Sequence, residues 1–333
     1  MKEIIKPVGI IGTGFAVPEN IISNKDLTRI VDTSDEWISS RTGISERRKI
    51  GAANNTSDLC AQAAEMAIVN AGITALDIDL IIVATVTPDM IFPATACIVQ
   101  EKIGAKNAAA FDLEAACSGF VYGMAVGQQF IATGMYKNVL IIGGETLSRV
   151  VDWQDRNTCI LFGDGAGAVV LQEVPSGYGI LANYLRADGS GADLLKIPAG
   201  GAAKPPNEMT ITNREHFIKM AGNDIYKFAV KVMGDAAMEV LTRAQLTKED
   251  VDFLVPHQAN TRIIEAAVKR LGLSEDKVII NIHKYGNMSS ASIPIALHEA
   301  FAGGRIKKDD IVVMVGFGGG LTWGSSVLRW FEK

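Results

Sequence analysis

The feature that most constrains the fold of this 333-residue chain is an internal repeat. Strand-like apolar runs at 78–83 and 139–142 have counterparts at 251–255 and 311–315. The spacing hardly changes along the chain, because 251 minus 78 is 173 and 311 minus 139 is 172. A register held over several elements indicates a duplicated unit, and two copies are too few for a solenoid. We therefore expect two similar halves packed on each other.

Each half also alternates strands with helices. Helical stretches at 94–103 and 261–271 follow the first strand-like runs, and turns into helices of small residues follow at 116–119 and 287–290. Alternating strands and helices predict an α/β fold in which helices cover mixed sheets. The helices that follow the turns at 116–119 and 287–290 are rich in small residues, which would let them lie face to face as a buried central layer.

The boundary between the halves is expected near the middle of the chain. We assign 1–174 to the N-terminal half and 175–333 to the C-terminal half. The latter begins with Pro175–Arg214, whose many Gly, Ala and Pro residues predict an irregular excursion near the surface. Asp224–Leu241 is expected to be helical, because its apolar residues recur at helical spacing.

The charge balance and the cysteines argue against several classes of protein. The chain has 32 basic and 37 acidic residues, whereas nucleic-acid binders usually carry a basic excess. No stretch approaches the roughly 20 uninterrupted apolar residues of a membrane span. The first apolar stretch contains Gly12, Gly14 and Pro18 and does not resemble a signal peptide. The four cysteines fit neither a disulfide framework nor a metal site. We expect a cytoplasmic protein without nucleic-acid, membrane or metal binding.

Three glycine-rich motifs are candidates for ligand sites. Gly12-Thr13-Gly14 lacks the third glycine of a dinucleotide-binding turn, and Gly163–Ala168 lacks the ending of a phosphate loop. Both are therefore expected to be structural. Gly318-Gly319-Gly320 follows a strand and offers backbone N–H groups that can form an oxyanion hole, with a simple tight turn as the alternative.

Cys117 differs from the other cysteines in its local context. It follows an apolar run and stands where a helix of small residues begins. A helix N-terminus favours the thiolate, because unpaired N–H groups and the macrodipole stabilise negative charge there. This context indicates a nucleophile. A buried inert thiol is the alternative, and it is the expected role of Cys60, Cys97 and Cys159.

The repeat brings two further polar residues toward Cys117. An offset of 170 residues, 287 minus 117, makes Asn287 the equivalent of Cys117. His257 directly follows a strand-like run, where a side chain can point into a site, although a structural histidine is the alternative. Together the three residues predict a Cys–His–Asn constellation between the halves. His283 and His298 are expected to be structural.

On these motifs the chain resembles the β-ketoacyl-acyl-carrier-protein synthase III family over essentially its whole length. The motifs are Asp35-Glu36-Trp37, Arg41-Thr42-Gly43-Ile44, Ala115–Phe120, Gly163–Ala168, Pro256–Asn260, Tyr285–Asn287 and Gly316–Gly320. The resemblance implies a thiolase-like fold, with two pseudo-symmetric α/β halves in a layered αβαβα arrangement. It also implies a decarboxylative condensation of a short acyl-CoA with malonyl-acyl-carrier protein, which starts fatty-acid synthesis. The CoA thioester would be a substrate, and no cofactor is expected.

The resemblance implies a role for each residue of the constellation. Cys117 would take the acyl group. His257 and Asn287 would donate hydrogen bonds to the thioester oxygen of malonyl-carrier protein, where negative charge develops. The backbone N–H groups of Cys117 and Gly319 would form the oxyanion hole.

Binding residues are implied in the same way. CoA would be held by Trp37, Arg41, Arg156, Gly222 and Asn260. An acidic carrier protein would dock on Lys227, Arg262, Lys269 and Arg270. The last three share roughly one helix face, and a solvated charged face is the alternative. Phe92 would reach across a homodimer to close the partner's acyl pocket.

Other functions remain open from the residues alone. A related condensing enzyme of a specialised polyketide-like pathway would keep the chemistry. A thiol hydrolase would share the order Cys, His, Asn, but papain-like surroundings are missing around Cys117. A non-catalytic module that binds acyl-CoA or a carrier protein would not need the triad. The starter acyl group is not evident from the sequence.

Overall fold

The computed structural model of the chain describes residues 6–332; residues 1–5 and Lys333, which the predicted halves include, lie outside the described part. The strands are β1 (Val8–Ala16), β2 (Ile21–Ser23), β3 (Glu46–Arg48), β4 (Leu80–Ala84), β5 (Ala109–Leu113), β6 (Val139–Thr146), β7 (Asp164–Glu173), β8 (Gly179–Ala187), β9 (Leu195–Lys196), β10 (Lys219–Met220), β11 (Phe253–Pro256), β12 (Ile311–Gly318) and β13 (Thr322–Arg329). The helices are α1 (Asn24–Leu27), α2 (Asp35–Thr42), α3 (Thr56–Ala71), α4 (Thr95–Lys102), α5 (Gly119–Ala132), α6 (Arg156–Cys159), α7 (Glu208–Thr212), α8 (Gly222–Arg243), α9 (Thr261–Leu271), α10 (Ile282–Tyr285) and α11 (Ser292–Ala302). Short 3₁₀ turns lie at Ala75–Asp77, Ala116–Ser118, Leu147–Arg149, Gly189–Leu194, Lys248–Asp250, Glu275–Lys277 and Ser289–Ala291.

Two mixed β-sheets with corresponding strand arrangements form the centre of the fold. The first has the strand order β1-β7-β6-β4-β5, and the second has the order β8-β13-β12-β11. In each sheet the strand that begins the repeat, β4 or β11, runs parallel to β6 or β12. Antiparallel strands continue each sheet to its far edge. The repeat seen in the sequence is therefore present in both strand order and strand direction.

The strands of the repeat are buried on both faces, which gives the fold five layers. Along β4, Leu80 and Ile82 belong to the core between the sheets, whereas Ile81 and Val83 belong to an outer core under α3 and α4. A strand covered on both sides reads as a continuous apolar run, because both sets of alternating side chains are buried. Helices α5 and α11 fill the central layer, and α8 and α9 cover the second sheet. The predicted αβαβα arrangement is confirmed.

Glycines let the layers approach closely. A Cβ atom on Gly143 in β6 would lie 2.3 Å from the carbonyl oxygen of Ser290. A Cβ atom on Gly12 in β1 would lie 2.4 Å from the carbonyl oxygen of Ala67 in α3. Neither gap admits a side chain, so both positions require glycine. The Gly12-Thr13-Gly14 motif thus serves helix packing.

The segment after the first half is more regular than predicted. Within Pro175–Arg214, the nine-residue strand β8 pairs with β13 along the second sheet. Most of β8 is half-buried or exposed, so it lacks the continuous apolar signature of the other strands. The predicted helix at 224–241 is present and extends to 222–243. A further apolar run of the repeat, at 278–282, forms an isolated bridge between Val278 and Leu254, and its last residue begins α10.

The structure also corrects the register of the repeat around Cys117. The turn Ala116–Ser118 before α5 corresponds to the turn Ser289–Ala291 before α11, an offset of 289 minus 116, or 173 residues. Cys117 therefore corresponds to Ser290, and Asn287 corresponds to Glu114. The predicted equivalence of Asn287 and Cys117 is wrong. Asn287 precedes the turn Ser289–Ala291, whereas Cys117 lies within the turn Ala116–Ser118.

Candidate active site

Cys117 lies where the two halves meet. It occupies the 3₁₀ turn between β5 and α5 and is almost fully buried. The end of β12 packs against this turn so closely that a Cβ atom on Gly318 would lie 2.5 Å from the Cys117 nitrogen. The Thr322 hydroxyl lies 2.9 Å from the carbonyl oxygen of Ala115 and accepts a hydrogen bond from the Ser118 hydroxyl at 2.9 Å. The C-terminal half thus fixes the turn that carries the thiol.

Two cavities meet at the thiol. The first, of about 590 Å³, is bordered by His257 and Asn287 and opens between α2, α8 and α9. The second, of about 620 Å³, is mainly apolar; its lining includes Val86, Ile91, Leu147, Ile197 and Ile218. Cys117, Phe162 and Leu195 border both cavities.

The thiol of Cys117 is protonated at rest. Burial raises its pKa to about 12, and the nearby Ser289 hydroxyl opposes this shift. The helix N-terminus predicts the reverse direction. Removal of the thiolate from water outweighs the dipole here, because the whole group lies inside the protein. Deprotonation must therefore accompany the reaction of the thiol with its substrate.

His257 follows β11, and its position is fixed by the neighbouring strand. The backbone N–H of His257 donates to the carbonyl oxygen of Val315 at 2.8 Å. The imidazole ring meets the Phe317 ring edge-on, with the ring centroids 5.6 Å apart. Its Nδ1 atom has no hydrogen-bond partner among residues 6–332. Burial lowers the pKa of His257 to about 3. The imidazole is therefore neutral and can donate from one ring nitrogen.

Asn287 is held by its backbone between Leu161 and Gly163. Its N–H donates to the Leu161 carbonyl oxygen at 2.8 Å, and its carbonyl oxygen accepts from the Gly163 N–H at 3.0 Å. The side-chain oxygen accepts from the Ser289 N–H at 2.8 Å. Because that oxygen is engaged, Asn287 can offer its NH₂ group to a ligand. The site thus pairs two neutral donors with a thiol.

Gly319, predicted to contribute an oxyanion-hole N–H, lies in the loop between β12 and β13. It lines the second cavity together with Cys117 and Gly320. The Thr322 hydroxyl lies 3.0 Å from the Gly319 carbonyl oxygen. The loop therefore presents its backbone beside the thiol.

The five predicted CoA-binding residues gather at the mouth of the first cavity. Trp37, Arg41, Gly222 and Asn260 line the cavity, whereas Arg156 stands beside it. The guanidinium groups of Arg41 and Arg156 lie 4.9 and 5.0 Å from the centre of the Trp37 ring. Asn260 donates to the Arg41 carbonyl oxygen at 2.9 Å, which joins α9 to α2. This arrangement suits a nucleotide, because the indole ring can stack on the base and the two guanidinium groups can bind the phosphates.

The predicted carrier-docking residues are only partly brought together. Arg262 lines the first cavity and donates to the Ser40 carbonyl oxygen at 2.9 Å. Lys227 and Lys269 are exposed on α8 and α9. Arg270 forms an ion pair with Asp235, which reduces its free positive charge.

Phe92 does not line either cavity in its own chain. It is 83% exposed, as is its neighbour Ile91 at 82%. Ile91 does line the second cavity. Phe92 is predicted to contact the acyl pocket of a second subunit, and its exposed ring is free to make that contact.

Sequence reasoning missed three residues around the site. Glu145 is fully buried on β6 and bonds to two neighbouring segments, at Val86 and Thr87 and at Ser290. Ser289 lies beside the thiol, and Arg47 is buried near the segment that holds Asn287. A carboxylate at the end of the apolar run 139–144 was a usable signal for Glu145. The other two have no comparable signal, because their burial depends on the packing of both halves.

Several groups lie apart from this site. His298 bonds to the Thr13 hydroxyl at 2.8 Å and stacks on Phe15, outside both cavities. No cluster of three or more His, Cys, Asp or Glu side chains among residues 6–332 could hold a metal ion. In the same range, no helix is both long and apolar enough for a transmembrane span.

Comparison with known proteins points to one family. Residues 111–189 match the family described as 3-oxoacyl-[acyl-carrier-protein (ACP)] synthase III, and residues 241–330 match its C-terminal part. The chain is 59% identical to the β-ketoacyl-[acyl-carrier-protein] synthase III of Caldanaerobacter subterraneus, over 97% of each chain. It is 46% identical to the structure of the 3-oxoacyl-[acyl-carrier-protein] synthase III of Aquifex aeolicus, with a TM-score of 0.90 over 97% of this chain and 100% of that one. The priming β-ketosynthase of a polyketide biosynthetic pathway is 31% identical, with a TM-score of 0.92 over 99% of this chain and 98% of that one.

Proposed function

We infer the activity from one premise: the chain belongs to the β-ketoacyl-[acyl-carrier-protein] synthase III family. It is an acyltransferase that condenses an acyl-CoA with malonyl-acyl-carrier protein, releases CoA and CO₂, and starts fatty-acid synthesis. The observation that carries this function is the Cys117 thiol at the junction of two cavities, with His257 and Asn287 beside it. A polyketide pathway is not favoured, because the chain is far more similar to the fatty-acid enzymes.

In the proposed first half-reaction, Cys117 attacks the thioester carbonyl of acyl-CoA. The carbon–sulfur bond to CoA breaks, the acyl group moves to Cys117, and the thiol proton leaves with CoA. The backbone N–H groups of Cys117 and Gly319 stabilise the oxyanion of the tetrahedral intermediate. The mainly apolar second cavity suits the alkyl part of the acyl group.

In the second half-reaction, malonyl-carrier protein replaces CoA in the first cavity. Loss of CO₂ leaves negative charge on the thioester oxygen, and His257 and Asn287 donate hydrogen bonds to that oxygen. The resulting carbanion attacks the acyl carbonyl on Cys117, the carbon–sulfur bond to Cys117 breaks, and the released thiolate takes up a proton from solvent. The low pKa of His257 supports this role, because a neutral imidazole stabilises the enolate without protonating it.

The binding roles rest on the mouth of the first cavity. Trp37 would stack on the CoA base, while Arg41 and Arg156 meet its phosphates and Gly222 and Asn260 border the path to Cys117. Carrier protein would dock on Lys227, Arg262, Lys269 and Arg270, among which Arg262 is nearest the opening. The proposed chemistry uses a thiol, an imidazole, an amide and backbone N–H groups, so a cofactor is not required.

We further propose a homodimer in the cytoplasm. Exposed apolar residues such as Ile91 and Phe92 indicate a contact surface, and Phe92 would close the second cavity of the partner. All four cysteines are free, which fits a reducing compartment. Sedimentation analysis should give a dimer for the wild type and a weaker dimer for Phe92→Ser. A monomeric wild type would contradict the proposal.

Intact-protein mass spectrometry with a panel of short acyl-CoAs tests the first half-reaction. We expect one acyl mass on the wild type and none on Cys117→Ala. Cys159→Ala is the matched control, because Cys159 is buried but lies outside both cavities, and it should still be acylated. A wild type that stays unmodified with every donor would disprove priming by acyl-CoA.

Release of CO₂ from malonyl-carrier protein tests the second half-reaction. His257→Ala and Asn287→Ala should accept the acyl group but release CO₂ at least about 100-fold more slowly, as expected for a lost oxyanion donor. His298→Ala, whose ring lies outside both cavities, should release CO₂ at nearly the wild-type rate. Normal CO₂ release by both active-site variants would disprove their proposed role.

A further inference from the structure

We propose that the hydroxyl of Ser289 donates a hydrogen bond to the Cys117 thiolate, and that Glu145 leaves this hydroxyl free because it is an uncharged carboxylic acid. The proposal rests on the proposed function only in taking Cys117 as the reacting thiol. It assigns Ser289 to the acylation step, in addition to the Cys–His–Asn residues, and makes Glu145 a positioning residue.

Ser289 is held in a conformation that few residues of its type adopt. Its φ is +47°, in the left-handed region, and its side chain is almost fully buried. The backbone N–H is committed to the Asn287 side chain. The hydroxyl has no partner of good hydrogen-bond geometry among the described residues. A strained residue with a buried, uncommitted hydroxyl is typical of a functional site.

The free hydroxyl lies beside the reacting sulfur. Ser289 and Cys117 line the same cavity, and the Ser289 hydroxyl lowers the pKa of the Cys117 thiol. A neutral thiol gains little from a donor, whereas a thiolate inside the protein gains a charge-assisted hydrogen bond. The donor therefore favours the step in which Cys117 loses its proton.

Counting protons indicates that Glu145 is neutral. The Ser290 hydroxyl lies 2.8 Å from the Ala84 carbonyl oxygen and 2.9 Å from one Glu145 oxygen. A carbonyl and a carboxylate can only accept, and the hydroxyl has one proton to give. Both contacts are satisfied if Glu145 carries a proton and donates to Ser290, which then donates to Ala84. Burial, which raises the pKa of Glu145, favours the same state.

The remaining contacts of Glu145 fit this state. Its second oxygen accepts from the hydroxyls of Thr87 at 2.7 Å and Thr85 at 3.3 Å and from the Val86 N–H at 3.1 Å. That N–H lies farther from the first oxygen, at 3.3 Å. The Ser289 hydroxyl is also close enough to lower the pKa of Glu145. An ionised Glu145 would therefore compete for the Ser289 proton and would raise the pKa of the Cys117 thiol by repulsion. The neutral acid avoids both effects.

Other titratable groups also face the thiol. Glu114 and Asp112 border the second cavity, and His257 borders the first. They are unchanged in the variants below, so differences among those variants report on Ser289 and Glu145.

Alkylation of Cys117 by iodoacetamide at pH 8, followed on its own peptide by mass spectrometry, tests the Ser289 hydrogen bond without any acyl-CoA. Ser289→Ala and Ser289→Gly should both react about tenfold more slowly, because the rate follows the thiolate fraction. Glycine relieves the left-handed strain, so equal effects in the two variants assign the loss to the hydroxyl.

Ser326→Ala is the matched control. Ser326 is a fully buried serine on β13 whose hydroxyl also lacks a partner in the described part of the chain, and it lies outside both cavities. Its variant should react at the wild-type rate. Wild-type rates for both Ser289 variants would overturn the hydrogen bond to the thiolate.

Glu145→Gln tests the neutral acid. The amide resembles the protonated carboxyl, so Cys117 should react within about threefold of the wild-type rate. Infrared spectra of the wild type at neutral pH should contain a protonated-carboxyl band that the variant lacks. A rate at least tenfold above wild type, or no such band, would show an ionised Glu145 and overturn this part. These assays use no thioester, so failure of every acyl-CoA to label Cys117 would refute the proposed function separately.

Discussion

Ala116 and Ser289 lie 173 residues apart and share one backbone conformation, with φ angles of +46° and +47°. Each begins the 3₁₀ turn that leads into a central helix, α5 or α11. Left-handed geometry disfavours both residues, by about 1–2 kcal/mol each. The two halves therefore retain the same strained turn although they use it differently. In the first half the turn presents Cys117 to the cavities, and in the second it presents Ser289.

Replacing Ala116 by Gly tests whether this strain serves catalysis. We expect Ala116→Gly to raise the free energy of unfolding by about 0.5–1 kcal/mol, since relief of strain exceeds the added chain entropy. The rate of Cys117 acylation should fall by up to about tenfold, because the turn is less fixed. Urea denaturation and mass spectrometry measure the two effects. Gln245→Gly, at an exposed position with φ +58°, should stabilise without slowing acylation. Equal acylation rates for the wild type and both variants would contradict the idea.

The buried His257 should make stability depend on pH. Its pKa is about 3 in the folded protein and about 6.5 when unfolded, so the unfolded chain takes up a proton first as pH falls. Wild type should lose about 2 kcal/mol relative to His257→Gln between pH 7.5 and pH 5. Urea denaturation at both pH values measures the difference. Parallel pH dependence in the two proteins would mean that His257 is protonated in the folded state.

The stack of Arg156 on Trp37 predicts a selective effect on CoA binding. Arg156→Ala and Trp37→Ala should raise KM for acyl-CoA about three- to tenfold, with kcat nearly unchanged, because they act at the mouth of the cavity. The KM of Arg156→Ala should also depend less on salt. Arg243 stacks on Tyr184 at 4.8 Å outside both cavities, and Arg243→Ala should leave KM unchanged. A fall in kcat without a change in KM would contradict this assignment.

Arg47 predicts a link between stability and the second half-reaction. It is 1% exposed, and it donates to the carbonyl oxygens of Ile22 at 3.1 Å and Ile160 at 2.7 Å and to the Asn24 side chain at 2.9 Å. Burial lowers its pKa only to about 10, so it remains charged at neutral pH. Arg47→Met should lower the free energy of unfolding by about 3 kcal/mol, because these buried acceptors lose their donor.

The same variant should slow CO₂ release more than acylation. Ile160 precedes the segment Leu161–Gly163 that holds the Asn287 backbone, whereas Cys117 is fixed by the other half. Arg48→Met is the neighbouring control; its half-buried ion pair with Glu46 at 3.3 Å should contribute less than about 1 kcal/mol. Denaturation and the two half-reaction assays measure these effects. Equal slowing of both half-reactions would disprove the link to Asn287.

The parts of the fold that the sequence predicts are those fixed by local pattern. Strands such as β4 and β12 are buried on both faces and therefore appear as continuous apolar runs. His257 follows β11 directly, so its place at a strand end could be inferred. Strand β8 was missed because its edge position leaves much of it half-buried. Its pairing with β13 is a long-range contact that no local pattern records.

The site was harder to predict wherever tertiary packing decides the outcome. The approximate spacing of the repeat aligned Asn287 with Cys117, but the turn geometry aligns Ser290 with Cys117. A helix N-terminus predicted a lowered thiol pKa, whereas burial by both halves raises it. Ser289 lies beside the thiol only after the two halves pack together, and Glu145 meets Ser290 across the same contact. Their protonation and hydrogen bonding are properties of that interface.

The meeting of the two cavities at Cys117 also sets the shape of an effective inhibitor. The passage between them is bordered by Cys117, Phe162 and Leu195. A compound that spans it needs an anionic head toward Trp37 and Arg41 and an apolar tail toward Leu147 and Ile218. An electrophile in the middle would lie against the sulfur, where it could form a covalent bond while both ends supply selectivity.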